Sequence, residues 1–175
     1  ATTEISTLSL HDALPILLIR SDFLERIGAT YYRINRGGDI TYHGPGQIVG
    51  YPVIDLEFYG LGVKEFIRKM EDAVSETMAE FGISCISREG ATGVWTFASN
   101  PSQARKICAI GVRVSRYVTM HGFALNVNTD LRYFGYINPC GFAPSAVTSM
   151  EQELGHPLCM KEVKEVLMQK FNQKY

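Results

Sequence analysis

The sequence predicts a single α+β domain, with a mixed, largely antiparallel sheet and flanking helices. Two segments with helical 3- and 4-residue apolar spacing, at about 62–81 and 161–171, carry that prediction. The second observation is the set of short runs rich in β-branched and aromatic residues at 27–35, 47–56, 83–87, 93–97, 106–114 and 118–127. The third is size: 175 residues suit one compact domain rather than two.

The first sixteen residues, ATTEISTLSLHDALPI, show no signal-peptide pattern and no strand or helix period. They read like translated adapter sequence. The expectation is a non-native or irregular segment at 1–16, followed by one domain at 17–175 that lacks its N-terminal part. The run 27–35, IGATYYRIN, is the first strand. Four glycines and a proline make 36–46 a loop. The apolar run 47–56 reads as a buried strand, with Pro52 marking a bulge or an edge.

In the long helix, Val63, Phe66, Ile67, Met70, Val74, Met78 and Phe81 form one stripe. Glu65, Arg68, Lys69, Glu71, Asp72, Glu76 and Glu80 mostly fill the opposite face, and Gly82 is the stop signal. Ser99–Ser102 marks a turn, Ser115-Arg116 can turn a hairpin, and the chain after Asp130 reads as loop. Val163, Val166, Leu167 and Phe171 give the last helix its inner face.

Composition narrows the function classes. Seventeen basic residues against 18 acidic ones, for a net charge of −1, give nucleic acid or an anionic membrane no purchase. The longest apolar run, Ala13–Ile19, is short of a bilayer span and contains Pro15. The four cysteines have neither CxxC nor zinc-finger spacing, which points to reduced thiols and a cytoplasmic protein with no metal site. Asn126, Asn128 and Asp130 lack the rest of a calcium loop and are read as a turn.

Folding needs alone do not account for the loop RGGDITYHGPGQIVGY at 36–51, where paired glycines permit close backbone approach to a ligand beside an imidazole. The residues leave two candidate nucleophiles. Cys140 sits between proline and glycine in a loop, while Cys108 lies two positions from Lys106 and, in a regular strand, on the same face, but within an apolar run.

RGGDITYHGPGQIVGY resembles the signature of the lipoyl(octanoyl) transferases. The resemblance continues through KICAIGVRVSRYVTMHGFALNVNTDLRYFGYINPCGF at 106–142 and VTSM at 147–150, and covers roughly residues 17–171. It implies the fold of the biotin protein ligase and lipoate ligase catalytic domains. The implied reaction moves an octanoyl group from octanoyl-acyl carrier protein to a lysine of a lipoyl domain, in endogenous lipoate biosynthesis. Acceptors would be lipoyl domains of 2-oxo acid dehydrogenase complexes and the glycine-cleavage carrier protein.

The resemblance puts the nucleophile at Cys140 and its cationic partner and proton shuttle at Lys106. Free cysteine titrates near pH ~8.5, so a neighbouring cation raises the reactive thiolate fraction. Substrate contacts carry over to Arg36, Gly37, Gly38, Asp39, Ile40, Thr41, Tyr42 and His43, to Ala109, Ile110 and Gly111, and to Gly122, Phe123 and Ala124. His43 and His121 are polar contributors with no assigned step. No cofactor is implied, and a monomer is expected. Two other readings stand beside this one: an ATP-dependent ligase of the same fold, which needs no cysteine nucleophile, and a truncated fragment that folds poorly or only binds acyl carrier protein.

Overall fold

The computed structural model describes residues 3–7, 21–34, 40–97, 100, 103–137 and 146–175. Among these, two sheets form. Strands β1 (Thr3–Thr7), β2 (Ala29–Arg33) and β3 (Thr41–His43) make a three-stranded sheet in the order β2-β1-β3, with β1 parallel to β2 and antiparallel to β3. Strands β4 (Gln47–Gly50), β5 (Cys85–Ser87), β6 (Val94–Thr96), β7 (Lys106–Ser115) and β8 (Val118–Asn126) make an antiparallel five-stranded sheet, ordered β4-β8-β7-β6-β5. The mixed, largely antiparallel α+β architecture is therefore the observed one.

Helix α2 (Val63–Glu80) forms where the apolar stripe predicts it. Phe66, Met70, Val74 and Met78 are buried against Val94, Ile107, Cys108, Ile110, Phe123 and Leu125 of the larger sheet. Helix α4 (Met160–Asn172) adds Val163 and Leu167 to the same core. Phe171 stacks on Phe123 at 5.0 Å, and Lys170 reaches Glu80 at 2.6 Å. One polar position departs from the helix pattern. Glu71 is buried, and its Oε1 accepts the backbone N–H of Gly93 at 2.9 Å, which offsets part of the cost of enclosing a carboxylate.

A smaller core lies beneath the three-stranded sheet, built from Leu24, Ala29, Ile40, Tyr42, Phe134 and Ile137. Leu24 comes from α1 (Ser21–Arg26). Tyr42 stacks on Tyr133 at 4.9 Å and meets Phe134 edge-on at 5.3 Å.

Several elements differ from their sequence reading. Thr3–Thr7 is the middle strand of its sheet, because main-chain pairing on both sides fixes a strand that no side-chain period announces. Residues 41–43, assigned to loop, are extended as β3. The run at 47–56 shortens to the edge strand β4, which is only part-buried and ends before Pro52. The β7–β8 turn is Arg116-Tyr117, both at positive φ (49° and 65°), which matches the twist of a two-residue hairpin. Past Asp130, a 3₁₀ segment (Leu131–Tyr136) is capped by the Asp130 carboxylate accepting from Arg132 N–H. Helix α3 (Met150–Leu154) carries a capping signal that was there to be read: Ser149 Oγ accepts the Gln152 N–H, and Gly155 ends the helix at φ 78°.

Candidate active site

The β7–β8 pairing brings two distant segments face to face. Ala109 opposes Ala124, Ile110 opposes Phe123, and Gly111 opposes Gly122. Alternation along the strands sends the pairs to opposite sides of the sheet. Ile110 and Phe123 go into the main core, where the Phe123 ring meets Phe171. Ala109, Gly111, Gly122 and Ala124 thus present a floor with no side chain larger than a methyl group.

That floor lies in a cleft open to solvent, which Ile110 and Phe123 also touch and which Ile34, Thr41, His43, Tyr51 and His121 wall. Strand β4 shapes one end of it. A Cβ on Gly50 would lie 2.3 Å from the Phe123 ring, and one on Gly122 would lie 2.2 Å from the Gly50 carbonyl oxygen and 2.6 Å from Pro52 Cδ. The chain therefore crosses over Gly122 only because both positions are glycine. Tyr51 then meets His121 edge-on, with ring centroids 6.1 Å apart. His121 holds φ at 63° within a strand, a strained conformation that re-aims its side chain.

Strand β3 contributes in alternation. Thr41 and His43 line the cleft, whereas Ile40 and Tyr42 belong to the smaller core. Behind His43 runs a hydrogen-bond chain. His43 Nδ1 pairs with Gln47 Oε1 at 3.2 Å, and Gln47 Nε2 donates to the Tyr42 carbonyl at 3.0 Å and to Asn126 Oδ1 at 2.9 Å. Asn126 Nδ2 donates to the Thr148 carbonyl at 3.0 Å, and Thr148 N–H donates to the Lys106 carbonyl at 3.0 Å. Gln47 was not singled out from the sequence and Asn126 was read only as part of a turn, because nothing in the sequence links positions so far apart. Asn126 lies in β8 rather than in a turn. Asn128 instead clasps the Leu158 backbone, accepting its N–H at 2.9 Å and donating to its carbonyl at 2.8 Å.

Lys106 opens β7 opposite Trp95, with its Nζ 4.8 Å from the centroid of that indole. Its backbone also bridges Val147 in parallel. It is not among the described residues lining the cleft, although Ala109 three positions on is. The register shift between Val94 and Trp95 breaks simple alternation here, so Ile107 and Cys108 are both buried in the main core.

Burial pushes the Cys108 thiol well above its ordinary range, with the Lys106 charge only partly offsetting that, so its thiolate is strongly disfavoured. Burial, then the Glu153 carboxylate, pushes Cys85 up to about 12. Cys159 is exposed at the start of α4. Cys140, Arg36, Gly37, Gly38 and Asp39 lie outside the described residues, as does most of the turn expected at 99–102. No helix among the described residues is long and apolar enough to cross a membrane, and they hold no group of three or more His, Cys, Asp or Glu suited to a metal ion.

The family described as "Lipoyl protein ligase A/B catalytic domain" matches residues 11–172. An octanoyltransferase of Bacteroides fragilis is 60% identical over 151 residues, which are 86% of this chain and 68% of that protein. The octanoyltransferase of Flavobacterium psychrophilum is 52% identical over 171 residues, 97% of this chain and 73% of that one. Among solved structures, the bipartite lipoate protein ligase of Thermoplasma acidophilum superimposes with a TM-score of 0.70 at 16% identity, covering 99% of this chain and 68% of that one. Biotin protein ligase of Aquifex aeolicus gives 0.55 at 16% identity, covering 74% and 52%. Those structures share the fold.

Proposed function

The chain belongs to the octanoyltransferases of the lipoyl protein ligase A/B catalytic-domain family, and from that premise we propose that it carries octanoyl groups on Cys140 as a thioester. The donor is octanoyl-acyl carrier protein, and the acceptor is a lysine of a lipoyl domain, in 2-oxo acid dehydrogenase complexes or the glycine-cleavage carrier protein. The protein acts as a cytoplasmic monomer without a cofactor. Exchange of one thioester for another is close to thermoneutral, which splits a difficult acyl transfer into two easier halves.

The observation that carries this reading is the bridge between Lys106 and Val147, seven positions beyond Cys140. It ties the chain that follows NPCGF to the strand bearing the proposed cation. Lys106 holds Cys140 as thiolate, protonates the carrier thiol as it leaves, and takes a proton from the attacking amine in the second half. The small-residue floor receives the acyl chain, and backbone amides of 109–111 and 122–124, with those of 36–43, steady the tetrahedral oxyanion. Cys108 is the rival nucleophile, and its burial argues against it.

Intact-mass analysis after mixing with octanoyl-acyl carrier protein, without ATP, tests the proposal. An octanoyl adduct that maps to Cys140 and vanishes in Cys140→Ser is expected. An adduct on Cys108, or turnover strictly dependent on ATP, overturns it.

A further inference from the structure

The hydrogen bonds around Gln47 fix the tautomer of His43. The Tyr42 carbonyl can only accept, so the nitrogen of the Gln47 amide must face it. Asn126 Oδ1 is an acceptor by the same logic, because Asn126 Nδ2 is committed to the Thr148 carbonyl. Gln47 Oε1 is then the atom facing His43 Nδ1, and an amide oxygen can only accept. His43 Nδ1 therefore carries the proton, and the lone pair of the neutral ring sits on Nε2. The ring belongs to a residue that lines the cleft.

We propose that His43, held as the Nδ1–H tautomer by Gln47, takes a proton from the acceptor lysine through Nε2, with Gln47 as its positioning residue. This deepens the reading of the preceding section and rests on it. At neutral pH the acceptor lysine arrives as an ammonium, which must lose two protons on becoming an amide. In the first step one N–H bond breaks and its proton bonds to His43 Nε2, leaving a neutral amine and an imidazolium whose Nδ1–H stays on Gln47 Oε1. The amine lone pair then forms the C–N bond to the thioester carbonyl carbon, and the C–S pair leaves on the Cys140 sulfur. That sulfur receives the second amine proton by way of Lys106, and His43 returns its own proton to water.

The same amide that sets the tautomer also ties His43 to the rest of the site. Through Asn126 and the Thr148 carbonyl, Gln47 connects β3 to the segment bridged to Lys106. A purely structural role for Gln47 and His43 would affect both half-reactions alike, so the split between them separates the two roles.

Two measurements on the full chain decide it. In ¹⁵N-histidine-labelled protein, at a pH where the ring is neutral, His43 is expected to show a protonated Nδ1 and an unprotonated Nε2. Gln47→Leu, which removes the acceptor facing Nδ1, should abolish that preference. In single-turnover assays, His43→Gln is expected to slow transfer from the acyl-enzyme to a lipoyl-domain lysine by about 100-fold, while formation of the acyl-enzyme slows far less. An Nε2–H tautomer at His43, or equal slowing of both halves, overturns the proposal, as does undiminished transfer. Absence of any Cys140 adduct in the parent chain sinks the preceding reading instead, and the proton's source with it.

Discussion

Thr148 donates its backbone N–H to the carbonyl of Lys106 over 3.0 Å, so Lys106 is anchored by main chain while its amine lies over the Trp95 indole. Backbone anchor and amine are thus separable by mutation. Lys106→Met keeps the tether and removes the ammonium, including its cation–π contact with Trp95, worth about 1 kcal/mol. Its thermal midpoint should drop by no more than a few degrees, whereas octanoyl-adduct formation on Cys140 should fall by roughly 100-fold or more. Melting and half-reaction assays on the same preparation check both; loss of stability in step with activity would make Lys106 structural.

The cleft floor sets a size limit. Ala109 opposes Ala124 across the ladder, and a leucine at either position would occupy space for two or three methylenes of a bound acyl chain. At about 0.8 kcal/mol per buried methylene, Ala109→Leu should weaken use of an eight-carbon donor by about 2 kcal/mol, or ~30-fold in kcat/KM. A four-carbon donor should suffer much less. Equal losses for the two donors would show that the acyl chain lies elsewhere.

Gly46 is the most constrained of the motif's described glycines, combining positive φ with a backbone contact. Its φ is 82°, a Cβ there would lie 2.1 Å from the Asn128 carbonyl oxygen, and its own carbonyl accepts from Val127 N–H, Asn128 N–H and Thr129 Oγ1. Gly46→Ala combines a left-handed penalty with a backbone clash and should cost about 2–4 kcal/mol in urea unfolding. Gly60→Ala, also left-handed but in open space, should cost only about 1–2 kcal/mol.

The buried thiols predict alkaline instability. Cys85 and Cys108 are both pushed up on folding, chiefly by burial, Cys85 to about 12. A raised folded pKa means that the unfolded chain gives up its proton first. Stability is therefore complete below the ordinary thiol range, near pH ~8.5, and declines from there up to about pH 12. The urea midpoint of the parent should fall across that window, and the Cys85→Ala/Cys108→Ala double variant should fall less steeply from a lower start. Parallel slopes would assign alkaline loss to other groups.

Local periodicity made α2, α4, β2 and the strands between 85 and 126 legible, because apolar spacing records which face of an element meets a core. The motif at 36–51 was legible as the mark of one family, which the comparisons bear out, and it is that family likeness that nominates Lys106 and Cys140. Even so, the sequence could not say that Ile40 and Tyr42 turn inward while Thr41 and His43 face the cleft. That depends on residues read as loop being a strand. Nor could it find the middle strand at 3–7, whose place depends on main-chain pairing with two partners.

What the sequence by itself determined is the reaction family, the α+β class and the identity of the groups available for chemistry. Tertiary structure decided which of them meet. Packing places Cys108 in the main core beside Ile107, where burial disfavours the thiolate of the cysteine nearest Lys106 in sequence. Gln47 finds Asn126 across 79 positions and so selects one nitrogen of His43 as the base. Side-chain period reports burial along one element, whereas hydrogen-bond partners and thiol acidity depend on what distant elements bring alongside, and that is fixed only when the sheets close on each other.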